Sequence, residues 1–186
     1  MVIEKWEVSG WEDATKAIGL SYNDEFKHIE QAERITKTLL QCYTNSGELN
    51  FLTGVNASLM INASIKWWQQ AMRYHWFQIV MSQSVMHSIA HKDIRDLDFV
   101  AGTPQMVIDS FAEAIDQFKH GGISQLELIY SVPVGLKEKA RVSTNYLQLL
   151  TMYHQRKNHK LPEWQTFCEE VTQMPHMKEI LAINQR

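Results

Sequence analysis

The sequence predicts an α+β fold, and three observations carry that expectation. Most segments place apolar residues at helical spacing, a few short ones alternate apolar with polar residues, and no internal repeat or low-complexity tract interrupts them. At 186 residues the chain also falls in the range where a single hydrophobic core, and so one domain over 1–186, is the expected solution.

The opening MVIEKWEV reads as a strand, with Val2, Trp6 and Val8 set against Glu4 and Lys5, and Ser9-Gly10 as a turn or cap. In WEDATKAIGLSYN, the spacing of Trp11, Ala14, Ala17 and Ile18 predicts a short helix that Ser21-Tyr22-Asn23 breaks. A longer helix is expected from Asp24, with Phe26, Ile29, Ile35, Leu39 and Leu40 near helical spacing, acids early and Lys37 late. Asn45-Ser46-Gly47 marks a loop, and SLMINASI, 58–65, alternates as a strand. From Lys66 a helix is expected to about Phe77, then irregular structure at Ser82-Gln83-Ser84 and a polar connection through Asp98. Thr103-Pro104 suits a helix start, the helix running to Phe118 before Gly121-Gly122 ends it. A further helix is expected over Ser124–Ser131, then a strand over KEKARVST and a helix over Asn145–Lys157. Pro162 opens the next helix, EWQTFCEEVTQM, and Pro175 stops it.

Composition narrows the classes. Hydrophobic residues at 45% and charged residues at 21%, with 8 Gly and 4 Pro, describe a chain that folds rather than a disordered one. Cys42 and Cys168 fit no CxxC, zinc or heme spacing, which predicts free thiols in a reducing compartment. The first residues lack the unbroken apolar run of a signal peptide, and no stretch approaches a membrane span, so a cytoplasmic protein is expected. The net charge of −3 argues against a general nucleic-acid coat. Charge is nonetheless uneven: Lys137, Lys139, Arg141, Arg156, Lys157 and Lys160 face the single acid Glu138 between 137 and 160, a local +5 that leaves −8 for the rest. His87 and His91 stand four apart, but HSIAH lacks the Glu of HExxH and no third ligand follows at metal spacing, so no metal site is expected. No GxxxxGK[ST] or GxGxxG occurs.

Three segments in order resemble the flavin-dependent thymidylate synthases. Ala14–Tyr22 is similar to the family's small-residue helix ending in an Arg-Val-Ser-Tyr type sequence. Gln70-Ala71-Met72-Arg73-Tyr74-His75, followed by Ser82-Gln83-Ser84, resembles the Gln-x-x-Arg-His-Arg signature and the serine loop after it. Val132-Pro133, Asn145 and Arg156 keep the family's intervals, twelve residues from Pro to Asn and eleven from Asn to Arg, before Glu163-Trp164. The chain departs from the pattern at Tyr74 and His75, where the motif has His and its second Arg, and no Asn-Glu pair stands near Ser82. Ile129 occupies the place of an Arg four residues before the proline, and Gly54-Val55-Asn56-Ala57 contains no counterpart of a family His. Ser82-Gln83-Ser84-Val85-Met86-His87 and Arg156–Trp164 also look like stretches of small phage-encoded proteins of low-GC bacteria.

The resemblance implies a small central antiparallel sheet flanked by helices, of the thymidylate synthase complementing protein type. It also implies FAD as cofactor, dUMP as ligand, a homotetramer, and a flavin shared at a subunit interface. Arg156 would then be the catalytic residue that polarises the pyrimidine, Arg73 and Ser84 would hold phosphates, Asn145 would face flavin, and His75 and Ser82 complete the cofactor-binding set. Read from the residues alone, Arg73 stands among Trp67, Trp68, Trp76 and Phe77, so it can equally stack on aromatic faces. Ser82 and Ser84 can simply turn the chain, and Asn145 can simply cap a helix. Three functional classes follow: reductive methylation of dUMP, a catalytically inactive homologue that senses nucleotide or binds a partner, and single-strand nucleic-acid binding by the 137–160 strip, which the overall acidity disfavours.

Overall fold

A computed structural model describes residues 1–44, 46–84 and 88–184. Four strands, β1 (Val2–Ser9), β2 (Asn56–Ser64), β3 (Gln78–Ser82) and β4 (Lys137–Asn145), form one antiparallel sheet in the order β1-β2-β4-β3. Eight α-helices complete the described fold: α1 (Trp11–Lys16), α2 (Ile29–Leu39), α3 (Ile65–Ala71), α4 (Gln105–Lys119), α5 (Gln125–Tyr130), α6 (Tyr146–Arg156), α7 (Pro162–Val171) and α8 (Met177–Ile183). The class is α+β, as expected.

The sheet buries one face. In β2, Ala57, Leu59, Ile61 and Ala63 point inward, and in β4 Ala140, Val142 and Thr144 do the same, the period-2 pattern of a half-buried sheet. Trp67, Leu149, Trp164 and Phe167 from α3, α6 and α7 cover that face. β1 follows the expected alternation only in part. Trp6 and Val8 pair with Leu59 and Ala57, but the register shifts between Ile3 and Lys5, so Ile3, not Val2, reaches the core. One extra residue in a strand exchanges its two faces, which reading the alternation alone does not reveal.

A second hydrophobic cluster gathers Ile89, Phe111, Ile115, Leu128 and Leu136. α4 supplies two of these, and its start differs in detail from expectation: Pro104 is the residue before the helix, while the Thr103 hydroxyl donates to the Val100 carbonyl instead of capping. Ser124 does cap α5, through a box with Glu127.

Three boundaries are corrected. The helix expected from Asp24 begins at Ile29, because the chain through His28 is extended. The helix expected to Phe77 ends at Ala71, and the chain from Gln78 to Ser82, where no strand was expected, forms the edge strand β3, which takes in only Ser82 of the segment expected to be irregular. Pairing of Gln78 with Ser143 and of Ile79 with Val142 pulls this segment out of helix; all five β3 residues are exposed, so no burial alternation signals it. After Pro175 the chain re-enters helix as α8, led by His176 at φ 60°, whose ring stacks on Trp11 at 4.0 Å. Asn45 of the expected loop and His87 of the histidine pair lie outside the described residues. Both cysteines are free thiols, and burial pushes the Cys168 thiol up to about 12. No helix among the described residues is long and apolar enough to cross a membrane.

Candidate functional site

α6 and the turn after α3 build the candidate site. Asn145 ends β4 and caps α6, its side-chain oxygen accepting from the Gln148 amide at 2.9 Å. The Tyr146 amide then donates to the Val55 carbonyl, and the Tyr146 hydroxyl to the Pro175 carbonyl at 2.7 Å, so the start of α6 is tied to two other segments. From this fixed origin, three helical turns carry Arg156 to the C-terminal end of α6, where a cation is favoured by the helix dipole.

Arg156 is half-buried and held by two aromatic residues, Tyr74 and Trp164. Its Nε donates to the Tyr74 hydroxyl at 2.7 Å, and its guanidinium lies 5.5 Å from the Tyr74 ring and 4.9 Å from the Trp164 ring. The Tyr74 hydroxyl donates in turn to Gln155 at 2.9 Å, and the Trp164 indole N–H donates to Gln70 at 2.9 Å. Both rings are therefore oriented by their own hydrogen bonds. No carboxylate pairs with Arg156 among the described residues, so its two terminal nitrogens remain available to an acceptor. Burial and the nearby Arg156 cation hold the His159 imidazole below its usual range. The arrangement can present a fixed cationic fork to a planar group with two acceptor atoms.

The other expected site residues are placed differently. Arg73 and His75 lie on the turn after α3, not on a helix, and both are exposed; the His75 ring meets Trp76 edge-on at 4.8 Å. Ser82 is the last residue of β3, opposite Ala140, and Ser84 follows it on the surface with its carbonyl accepting from Ser88. Gln83 between them bonds the β4 backbone through both its amide and its side chain at Lys139. Three of the six bases of the strip, those on β4, are paired: Lys137 meets Asp98 at 3.0 Å, Lys139 meets Glu4 at 2.6 Å, and Arg141 lies 3.8 Å from Glu7. The structure thus joins Arg156 to the Gln70–His75 segment through Tyr74, a residue the sequence reading treated only as a departure from the motif. Nothing in the sequence marked Gln70 and Trp164 as partners, since 94 residues separate them.

A cavity of about 560 Å³ opens elsewhere, between α1 with the turn after it and the 3-10 turn Asn50–Gly54. Ala14, Ala17, Ser21 and Tyr22, from the first of the three resembling segments, line it together with Glu48, Asn50, Phe51 and Thr53. Its lining contains hydroxyl, amide and aromatic groups but no Lys or Arg.

This sheet order and helix arrangement define the chain's class: it has the fold of the flavin-dependent thymidylate synthases. In particular, it is similar to the flavin-dependent thymidylate synthase ThyX of Helicobacter pylori complexed with FAD and dUMP, with a TM-score of 0.76 and 14% identity over 98% of each chain. A second structure of that Helicobacter pylori enzyme with FAD and dUMP is similar over 100% of this chain and 98% of its own, with a TM-score of 0.74 and 14% identity. No protein-family model and no curated protein matches the sequence.

Proposed function

We propose that this chain is a flavin-dependent thymidylate synthase-like protein that binds FAD and a pyrimidine nucleotide, with Arg156 contacting the pyrimidine. One observation carries the reading. On this fold, Arg156 is anchored through Nε and by contacts with the Tyr74 and Trp164 rings, while among the described residues nothing pairs with its terminal nitrogens, the state of a guanidinium prepared for a planar, acceptor-bearing ligand. The corresponding reaction is reductive methylation of dUMP, in which methylenetetrahydrofolate supplies the carbon and bound reduced flavin supplies hydride.

The residues present fit a flavin in part. The 560 Å³ cavity suits a ring system with hydrogen-bonding edges, through Ser21, Asn50 and Thr53 beside Tyr22 and Phe51. It lacks a cation for the pyrophosphate, and Arg73 and His75 do not line it. A buried phosphate without cationic or N–H partners is costly, so the proposed site needs these groups from a second copy of the chain. The exposed apolar strip Met72, Trp76, Ile79, Val80 and Met81 on and before the edge strand supports such a homo-oligomer, a tetramer by family resemblance. In that assembly Arg73, His75, Ser82 and Ser84 would meet phosphate, and Asn145 would meet flavin from its cap position. A reducing cytoplasm, that of the host cell for a phage-borne gene, fits the two free thiols.

The departures favour a second reading, a catalytically inactive homologue that senses nucleotide or binds a partner. Ile129 on α5 offers no charge to a phosphate, and Tyr74 holds Arg156 where the family motif has His. A thermal-shift screen of FAD, FMN, dUMP and NADPH, repeated on Arg156→Ala, separates the two. Yellow protein, stabilised by FAD and dUMP, with the dUMP shift lost in the variant, supports ligand binding at this site. Colourless protein whose melting temperature ignores all four ligands sinks it, and turnover of dUMP distinguishes the enzyme from the sensor.

A further inference from the structure

We infer that Tyr74 is the positioning residue of Arg156, and that it aims the guanidinium as a fixed fork at a planar ligand with two acceptor atoms. The inference deepens the proposed function and rests on its assignment of Arg156 to the pyrimidine. Three connected contacts carry it. Gln155 accepts the Tyr74 proton at 2.9 Å, which turns the phenol oxygen's lone pairs toward Arg156. Arg156 Nε donates to that oxygen at 2.7 Å. Trp164, oriented by Gln70, adds a second aromatic contact, with its ring 4.9 Å from the guanidinium.

A free arginine side chain loses much of its rotamer freedom on binding. Here Nε and the ring contacts hold the group before any ligand arrives, so the two terminal nitrogens are presented in one plane. A ligand with adjacent carbonyl and ring-nitrogen acceptors, such as the edge of a deprotonated or polarised pyrimidine, matches that fork, and under the proposed function it is the ring, not the phosphate, that faces Arg156. Tyr74 therefore acts through Arg156 and selects for the planar ring.

The test uses full-length Tyr74→Phe, which keeps the ring over Arg156 and removes only the oxygen, alongside Arg156→Lys and the double variant. Two readouts are taken: calorimetric affinity for dUMP and for 2-deoxyribose 5-phosphate, which lacks the ring, and the ¹H–¹⁵N signal of the Arg156 Nε–H in the free protein. The expected result is a slowly exchanging Nε–H signal that Tyr74→Phe abolishes, with dUMP affinity reduced about tenfold, as for a lost hydrogen bond to a charged group. Sugar-phosphate affinity stays unchanged, and adding Tyr74→Phe to Arg156→Lys has no further effect, because lysine lacks Nε. Wild-type affinity in Tyr74→Phe, or an Nε–H signal indifferent to Tyr74, overturns the inference while leaving the proposed function standing. Wild-type protein that ignores dUMP yet keeps the Tyr74-dependent signal overturns the nucleotide reading and supports the clamp.

Discussion

Replacing Ser64 by alanine removes two supports at once, and their cost can be worked from the geometry. Ser64 is fully buried at the junction of β2 and α3, and its hydroxyl accepts from the Trp67 amide at 3.1 Å, capping α3. The same hydroxyl donates to one carboxylate oxygen of Glu163, which is 3% exposed, while the Ser64 amide donates to the other at 2.9 Å. Loss of the cap costs about 1 kcal/mol. A buried carboxylate oxygen deprived of its partner costs about 1–3 kcal/mol more. The sum, about 2–4 kcal/mol, is a large part of the roughly 5–15 kcal/mol that holds such a domain folded. For a chain of this length each kcal/mol moves the midpoint by roughly 2–4 °C, so Ser64→Ala should melt about 5–15 °C lower by circular dichroism. Glu163 adjoins Trp164, so the same loss loosens the wall behind Arg156. A melting temperature within about 1 °C of wild type refutes the reasoning, as do strictly additive effects of Ser64→Ala and Glu163→Gln, since groups sharing one hydrogen bond must couple.

Two further outcomes follow from single residues. Burial holds the His154 imidazole below its usual range, outweighing its hydrogen bond at 3.1 Å to Asn184, which itself ties down the Leu40 and Cys42 carbonyls. A folded-state value below the unfolded one means the stabilisation is complete above pH about 6.5 and is lost as pH falls through the folded value. Urea midpoints at pH 7.5 and 5.5 should therefore drop more for wild type than for His154→Gln, and equal drops would count against the assignment. Gly10 sits at φ 86° ahead of α1, and a Cβ there would meet the Gly54 carbonyl oxygen at 2.4 Å. Gly10→Ala should cost about 2 kcal/mol or more in urea unfolding, and an unchanged midpoint would show that the turn relaxes freely.

Much of the fold was legible in the residues, because its signals are local. The alternation in 58–65 and 137–144, the Pro at the start of α7 and the cap at Asn145 each report on a few neighbours in the chain, and each recurs in the structure within one or two residues. β3 was not legible, since an exposed edge strand has no buried face to impose a pattern, and its existence depends on β4 some sixty residues away. Ile3 escaped for a related reason: a shift of register is a property of two strands, not of one.

The candidate site divides in the same way. The order and spacing of Gln70, Arg73, Asn145 and Arg156 are properties of the chain itself, and they sufficed to suggest the fold that the coordinates then displayed. What those residues touch was decided only by packing. Arg73 and His75 turned to the surface when the helix ended at Ala71, the bases of β4 found acids on β1 and the 88–98 segment, and Arg156 closed on Tyr74 and Trp164. A charge in sequence has no fixed partner, because hydrogen bonds and ring contacts act over a few ångströms in space and are blind to the distance along the chain.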